Sequence, residues 1–130
     1  MRRSIPRLAA VLILASLAGM ASAEAPLAKR TILQTVDAQA GQQVIVATVD
    51  NPVGALPSRH RHYGLEIGYV LEGQIELTVE GQGTHIYKAG DSFVVPRETT
   101  HAGHPVGPGP ARTMSTYVVD KDKPLVEPMP

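Results

Sequence analysis

The feature that most constrains the fold is a series of short runs rich in Val, Ile, Thr and Tyr, most of them separated by Gly, Pro, Asn or Asp. No segment after the first two dozen residues shows a convincing helical period. Such runs, spaced closely along the chain, are typical of an all-β sandwich or barrel. The pattern predicts strands at residues 31–37, 43–50, 65–71, 75–80, 84–88, 92–95 and 112–119.

Two of these runs differ in how they are buried. Residues 75–80 alternate apolar and polar side chains, which predicts a strand with one buried and one wet face. Residues 65–71 are almost continuously apolar around Glu66, which predicts a strand covered on both sides. The proline-rich segment 104–110 is predicted to be a stiff loop. The C-terminal arm, residues 121–130, is expected to be mobile unless a partner subunit holds it.

The first 23 residues have the pattern of a secretory signal peptide. Arg2, Arg3 and Arg7 form a basic start, an apolar run follows at residues 8–17, and Ala21-Ser22-Ala23 is a small-x-small cleavage site. The apolar run is shorter than the roughly 20 residues of a spanning helix, so we expect no stable membrane anchor. We expect cleavage after Ala23 and a periplasmic or secreted product. Whether export uses the general or the twin-arginine route is left open.

Charge and cysteine content narrow the function classes. Removal of the predicted signal peptide, residues 1–23, takes away three arginines. It leaves nine basic and twelve acidic side chains, a formal charge of −3. The basic residues are scattered, so we expect no nucleic-acid partner. The chain has no cysteine, which excludes disulfides and thiolate metal sites. A bound metal would therefore need nitrogen and oxygen ligands.

One segment carries the residue types of a metal site. His60, His62 and Glu66 have the same parity, so in an extended segment all three side chains project from one face. Two imidazoles and one carboxylate leave open positions on an ion and suit iron(II) and related metals. A His-x-His on a strand edge also occurs by chance, so the two histidines alone do not establish a metal site.

The spacing around this segment is more specific. The chain contains Gly-(x)5-His-x-His-(x)3-Glu-(x)6-Gly from Gly54 and, sixteen residues later, Gly-(x)5-Pro-(x)4-His, ending at His101. These two motifs, over residues 54–101, closely resemble those of the cupin superfamily. Two positions depart from the usual second motif: Glu98 stands where glycine is common, and Pro105 where asparagine is common. We expect Glu98 to alter the turn that carries His101.

The resemblance implies a small, single-domain, cupin type-2-like protein. Its fold would be a double-stranded β-helix, a jelly-roll-like barrel, over residues 24–120. The family pattern places a divalent ion, Fe, Mn, Ni, Cu or Zn, on His60, His62, Glu66 and His101. Small cupins commonly look like dimers, and residues 31–37 could pair with a second copy at a sheet edge, so we expect a homodimer.

The same resemblance permits several functions. By parity, the neighbours of the ligands inside the barrel are Gly64, Gly68 and Val70, all apolar, which favours an aromatic or phenolic small-molecule substrate. A metal-dependent enzyme acting on a small oxygenated organic molecule, with oxygenase chemistry first, is the preferred interpretation. The alternatives are an isomerase or ring-opening enzyme on unsaturated uronates, and a non-catalytic module that binds a metal or a sugar-like ligand. No residue is assigned a catalytic role.

Other polar residues have simpler explanations. We expect His104 to be solvated rather than an alternative ligand, and His85 to lie on the surface of the sheet. Arg59 and Arg61 have outward parity; they could hold a carboxylate at the mouth of the barrel, but solvated arginines are the usual outcome.

Overall fold

The computed structural model describes residues 23–130, which form strands and connecting loops. The predicted signal peptide, apart from its last residue, lies outside the described residues. Within residues 23–130 no helix is long and apolar enough to cross a membrane. The strands are β1 Lys29–Asp37, β2 Gln42–Asn51, β3 His60–Arg61, β4 Gly64–Glu72, β5 Gln74–Val79, β6 Gly83–Lys88, β7 Ser92–Val95, β8 His101–Pro105, β9 Ala111–Asp120 and β10 Glu127–Pro128.

The strands form two five-stranded sheets. The order is β1-β2-β9-β4-β7 in the first sheet and β10-β3-β8-β5-β6 in the second, and all the neighbours pair antiparallel. From β2 to β10 successive strands alternate between the sheets, except that β5 and β6 both lie in the second sheet, as in the predicted double-stranded β-helix. The all-β, single-domain prediction is confirmed, and each of the seven predicted runs coincides with a strand.

The core lies between the inner faces of the two sheets. On β5, Ile75, Leu77 and Val79 are buried while the residues between them are partly or fully exposed, as the alternation predicts. The prediction that β4 is covered on both sides is wrong. Its inward residues are buried, but Ile67 and Tyr69 are 45% and 43% exposed, because no further layer of residues 23–130 covers that outer face. The first sheet therefore has an apolar outer surface.

Two glycines allow the chain to pass close to itself. Gly73, between β4 and β5, has a φ of +71°, and a Cβ built there would lie 2.2 Å from the carbonyl oxygen of Pro110. At Gly64, the first residue of β4, a Cβ would lie 2.0 Å from the carbonyl oxygen of Val118. Only glycine fits both positions.

Two predictions, one for the proline-rich loop and one for the C-terminal arm, need correction. The stiff loop predicted from His104 starts later, because β8 continues through Pro105: Ala102 and Gly103 pair with Thr78 and Leu77 of β5. Proline is tolerated there because β3 pairs with β8 only at His101, so the side of Pro105 that faces away from β5 is a free sheet edge.

The C-terminal arm also differs from expectation, since it lies against its own chain. β10 pairs with β3, the Met129 amide donates to the Arg59 carbonyl (3.0 Å), and Leu125 packs on the cluster that contains Tyr117. The Arg61 guanidinium pairs with the Glu127 carboxylate. The arm thus belongs to the second sheet.

Candidate metal centre

The structure brings together all four residues that the sequence proposes as ligands. His60 lies on β3, His62 directly follows β3, Glu66 lies on β4 and His101 is the first residue of β8. His60 and His101 are direct partners in the β3–β8 ladder. His62, Glu66 and His101 are buried, and His60 is partly exposed at the edge of the cluster. Residues from two sheets and two motifs therefore meet at one point.

The distances within this cluster are short. One nitrogen from each of the three histidines lies within 4.8 Å of the others, as in a group that can hold a metal ion. The Oε2 atom of Glu66 lies 3.1 Å from His62 Nε2 and 3.3 Å from His101 Nε2. The carboxylate is therefore part of the same cluster, with an oxygen beside two ring nitrogens.

Backbone carbonyls orient each imidazole. The Nδ1 atoms of His60 and His101 lie 2.8 Å and 2.9 Å from the carbonyl oxygens of Ser58 and Thr99, and His62 Nδ1 contacts the carbonyl of Leu125. A carbonyl oxygen only accepts, so each Nδ1 carries the proton and donates it. In a neutral imidazole the Nε2 atom then carries a lone pair inside the cluster, and among residues 23–130 buried His62 Nε2 makes no hydrogen bond. This is the arrangement of metal-ligating histidines.

The charges in the cluster respond to burial and to one another. Burial, together with the charge of His101, lowers the pKa of His60 to about 4, so its imidazole is neutral near pH 7. Burial by itself would raise the pKa of Glu66, but the contacts with His101 and His62 outweigh it and hold the pKa below its usual range. Ser115 also donates to Glu66 Oε1 at 2.7 Å. A neutral His60 imidazole and an ionised Glu66 carboxylate are protonation states that a metal requires of its ligands.

The residues present therefore fit a divalent ion. The ligand set would be three Nε2 nitrogens and one carboxylate oxygen, with Ser58, Thr99, Leu125 and Ser115 supporting them. Nitrogen and oxygen donors of this kind suit Fe, Mn, Ni, Cu and Zn.

A cavity of about 300 Å³ opens beside the cluster and is lined in part by His60, Glu66 and His101. Its walls are mostly apolar, but Gly64, Gly68 and Val70, which the sequence placed beside the ligands, are not among the lining residues. The expectation that the neighbours of the ligands are all apolar is wrong, because Arg30 and Tyr117 line the cavity, as do Asn51 and Thr113. Arg30 and Tyr117 were missed by the sequence reasoning. Tyr117 lies within a predicted strand, but the sequence does not tell which residue it pairs with in the neighbouring strand. Arg30 lies just before the first predicted strand.

Tyr117 is completely buried against the cluster. It is 0% exposed, it pairs with Glu66 in the β4–β9 ladder, and its ring centroid is 4.9 Å from that of His62. Burial first, and then the negative charge of Glu66, raise the pKa of Tyr117 to about 12. The phenol therefore stays protonated near pH 7.

The remaining candidates lie away from the cluster. His104 Nε2 is 3.9 Å from Glu76 Oε1 on the second sheet, and His85 is exposed, with Nε2 3.1 Å from the Gln82 carbonyl. Arg59 is exposed, whereas Arg61 pairs with Glu127 rather than with solvent alone. None of these residues is among the grouped ligands.

The turn that carries His101 keeps the form that a glycine would favour. Glu98 has a φ of +55°, in the left-handed region, and its amide donates to the His62 carbonyl at 2.9 Å. The expectation that Glu98 alters the turn gains no support, because the glutamate itself takes up a conformation suited to glycine. The hydrogen bond joins the two motifs through their backbones.

Three curated proteins match part of the chain, two of them being the same regulator from two bacteria. An 85-residue segment is 33% identical to the Oryzines biosynthesis cluster protein J of Aspergillus oryzae and covers 63% of this chain and 45% of that protein. A 59-residue segment is 39% identical to the HTH-type transcriptional regulator PuuR of Escherichia coli and covers 45% of this chain and 31% of the regulator. The chain thus spans less than half the length of either relative.

Solved structures share the fold. KdgF from Halomonas sp. superposes with a TM-score of 0.57 at 26% identity, over 73% of this chain and 81% of that chain. The DMSP lyase DddQ from Ruegeria pomeroyi superposes with a TM-score of 0.64 at 20% identity, over 75% of this chain and 50% of that chain. The family model of the cupin domain matches residues 47–117, more than half of the sequence. This match, with the two motifs meeting at one cluster inside a double-stranded β-helix, shows that the chain belongs to the cupin superfamily.

Proposed function

We propose that the protein is a metal-dependent enzyme acting on a small oxygenated organic molecule. The observation that carries the proposal is the orientation of the three histidines. Each Nδ1 proton is held by a backbone carbonyl, so the Nε2 lone pairs of His60, His62 and His101 converge beside the Glu66 carboxylate. A bound divalent ion would polarise a substrate oxygen as a Lewis acid or support oxygen activation.

The chain's own groups define the rest of the site. His60, His62, His101 and Glu66 would hold the ion, and the cavity beside them would take the substrate. Phe93, Ile75 and Leu77 on its wall favour an apolar substrate body, as in an aromatic or phenolic molecule. The Tyr117 phenol holds a proton at the edge of the cluster and supplies the polar hydroxyl that acid–base chemistry needs.

Oxygenase chemistry is the first reaction to test, and isomerisation or ring opening of an unsaturated uronate is the second. Both need a substrate with oxygen atoms able to reach the ion and a cavity able to enclose it. The two are separated by their requirement for dioxygen. We expect turnover of a phenolic, carboxylate or uronate compound with one of Fe(II), Mn(II), Ni(II), Cu(II) or Zn(II); no product across that panel would sink the enzyme proposal.

Metal content is the direct test of the site. Protein purified without chelators should carry stoichiometric metal by plasma mass spectrometry, and His62→Ala and His101→Ala should lose it. His85→Ala is the matched control, because this imidazole is exposed and remote from the cluster. A folded parent that binds no added ion, or equal metal in all variants, contradicts the proposed site.

A second candidate is a binding module without catalysis, which sequesters a metal or a small sugar-like ligand. One relative is named as a transcriptional regulator rather than an enzyme, and it matches this chain over 59 residues. Calorimetry and mass spectrometry separate the two candidates. Ligand binding without any product in the presence of metal favours the binding module, whereas product formation favours the enzyme.

We also propose export to the periplasm or the medium, on the pattern of residues 1–23. Expression of the full chain should give a mature protein that begins at Glu24. N-terminal sequencing of the periplasmic and cytoplasmic fractions tests this, and an unprocessed cytoplasmic chain contradicts it.

Assembly as a homodimer is proposed through the first sheet. β1 is an edge strand, and Ile32, Leu33 and Val36 on it are exposed, which supports pairing with a second copy. Light scattering should give twice the chain mass. Leu33→Lys should shift the protein toward monomer, and a monomeric parent at all concentrations overturns the proposal.

A further inference from the structure

Two buried polar atoms near the cluster, Arg30 Nε and the Tyr117 hydroxyl, make no hydrogen bond of good geometry among the described residues, although the Arg30 and Ser115 side chains lie close to the hydroxyl. Leaving a buried donor unpaired is costly, so most native structures satisfy such groups. Neither residue is a proposed metal ligand. Their position therefore needs an explanation beyond the ion.

Both residues belong to the same cavity although they come from different strands. Arg30 lies on the edge strand β1 opposite Val49, and Tyr117 lies on β9 opposite Glu66. The guanidinium carbon of Arg30 is 5.7 Å from the centre of the Tyr117 ring. Both side chains line the cavity beside His60 and His101. Two donors thus lie together next to the proposed metal position.

The charge of Arg30 is not matched by an ion pair within residues 23–130. Three other arginines each have a carboxylate partner: Arg61 with Glu127, Arg97 with Asp120 and Arg112 with Asp50. The carboxylate in the cavity, Glu66, is engaged by Ser115, His62 and His101. A guanidinium in a mostly apolar cavity is then available to an incoming anion, for which its planar set of donors is suited.

The walls indicate what else this anion must contain. Leu27, Val49, Leu56 and Phe93 line the cavity, together with Ile75 and Leu77. A hydrated inorganic anion would gain nothing from such walls, whereas an organic acid would bury its apolar body there. The volume of about 300 Å³ is at the lower end of small-molecule sites.

We propose that Arg30 and Tyr117 form a carboxylate-binding subsite, so that the substrate is a small organic acid with an apolar body. The Arg30 guanidinium and the Tyr117 hydroxyl donate to the carboxylate. The rest of the molecule lies along the apolar wall, toward the four proposed ligands. This inference rests on the proposed function, since it names the substrate class of the same site.

The test measures binding of benzoate, with benzyl alcohol as the uncharged analogue and acetate and inorganic phosphate as anions without an aromatic body. Calorimetry is performed on metal-free and Zn(II)-loaded protein. Arg30→Gln and Tyr117→Phe remove one donor each, and Arg30→Lys keeps the charge but not the fork of donors. Arg112→Gln is the matched control, because it loses the same charge from an exposed position outside this cavity.

We expect benzoate to bind the parent more tightly than benzyl alcohol, acetate or phosphate. Arg30→Gln should weaken benzoate binding by about tenfold or more, since a charged hydrogen bond is lost. Tyr117→Phe should weaken it several-fold, Arg30→Lys should lie between Arg30→Gln and the parent, and Arg112→Gln should match the parent. Thermal melts verify that each variant is folded.

Three results would overturn the proposal: no benzoate binding in either form, equal binding by the parent and Arg30→Gln, or phosphate binding as tightly as benzoate. If the parent and Arg30→Gln bind benzoate equally and only when loaded with Zn(II), the ion alone holds the carboxylate and the proposed subsite is overturned. A parent that takes up no metal sinks the proposed function instead, and the metal-free titrations still decide the subsite.

Discussion

At the residue scale, Glu98 is one of two residues other than glycine, with Ala40, that occupy the left-handed region among residues 23–130; its φ is +55°. This conformation costs about 1–2 kcal/mol for a residue with a Cβ. The cost is tolerated because the turn hydrogen-bonds to His62 and sets the start of β8. The position is thus conformationally demanding although its side chain is exposed.

We predict that Glu98→Gly raises the free energy of unfolding by up to about 1 kcal/mol, since the relief of strain exceeds the added flexibility of the unfolded chain. Chemical denaturation measures the change. Glu80→Gly is the control: this exposed residue has no positive φ, so the substitution should destabilise. A Glu98→Gly protein less stable than the parent would contradict the prediction.

The sequence allowed the four residues of the cluster to be proposed together, because parity groups His60, His62 and Glu66 and the resemblance to the second cupin motif adds His101. It did not allow the groups that orient them to be predicted. Leu125 reaches His62 across 63 residues, and Tyr117 meets Glu66 only through the pairing of β4 with β9. Arg30 joins the site from an edge strand. Such contacts depend on which strands become neighbours, which one sequence does not specify.

At the scale of elements, the long strands were predictable and the short ones were not. β3 and β10 are two residues each, too short to show alternation, and β8 contains Gly103 and Pro105, which favour loops. The outer face of β4 shows a further limit. Its apolar residues predict cover on both sides, but the sequence does not say whether that cover comes from the same chain.

The C-terminal arm is predicted to act as a support for the metal centre. Deleting residues 124–130 removes the carbonyl that orients His62 and the strand that pairs with β3. Metal affinity should fall about 10–100-fold, as for loss of other groups that orient a ligand. Calorimetry with Zn(II) measures it.

A chain that lacks only Pro130 is the control and should bind like the parent. Glu127→Gln, which weakens the pairing with Arg61 but keeps the Leu125 carbonyl, should have a smaller effect than the deletion. Unchanged affinity in the folded, shortened chain would show that the arm is dispensable.

The close contact of β4 with β9 leads to a second prediction at this scale. In Gly64→Ala the new methyl would meet backbone atoms of Val118 and Val119, which cannot rotate away. We expect a loss of about 3 kcal/mol or more in the free energy of unfolding. Gly109→Ala, with open space around it, should change stability by less than about 0.5 kcal/mol in the same urea titration. Similar effects at both positions would refute the steric argument.

At the scale of the whole molecule, the metal-free protein should lose stability on mild acidification. The pKa of His60 falls from 6.5 to about 4 on folding, so between these pH values the unfolded chain binds a proton that the native chain does not. Stability therefore rises with pH across this window and falls as the pH drops through it. His60 contributes about 3 kcal/mol at most to this change in the free energy of unfolding.

Denaturation midpoints between pH 7 and pH 4 test this prediction, with His60→Gln as the comparison. The variant should show a shallower decline of stability with acid. An identical pH dependence in both proteins would assign the decline to other groups.

The contact between His62 and Leu125 also sets an order of events during synthesis. The carbonyl that orients His62 lies 63 residues later in the chain, and β9, which bears Tyr117 and Ser115, is made after both metal motifs. A nascent chain therefore exposes its ligands before it can arrange them. Selective uptake of a metal would become available only after Leu125 has left the ribosome, so the compartment in which folding ends would determine which ions compete for the site.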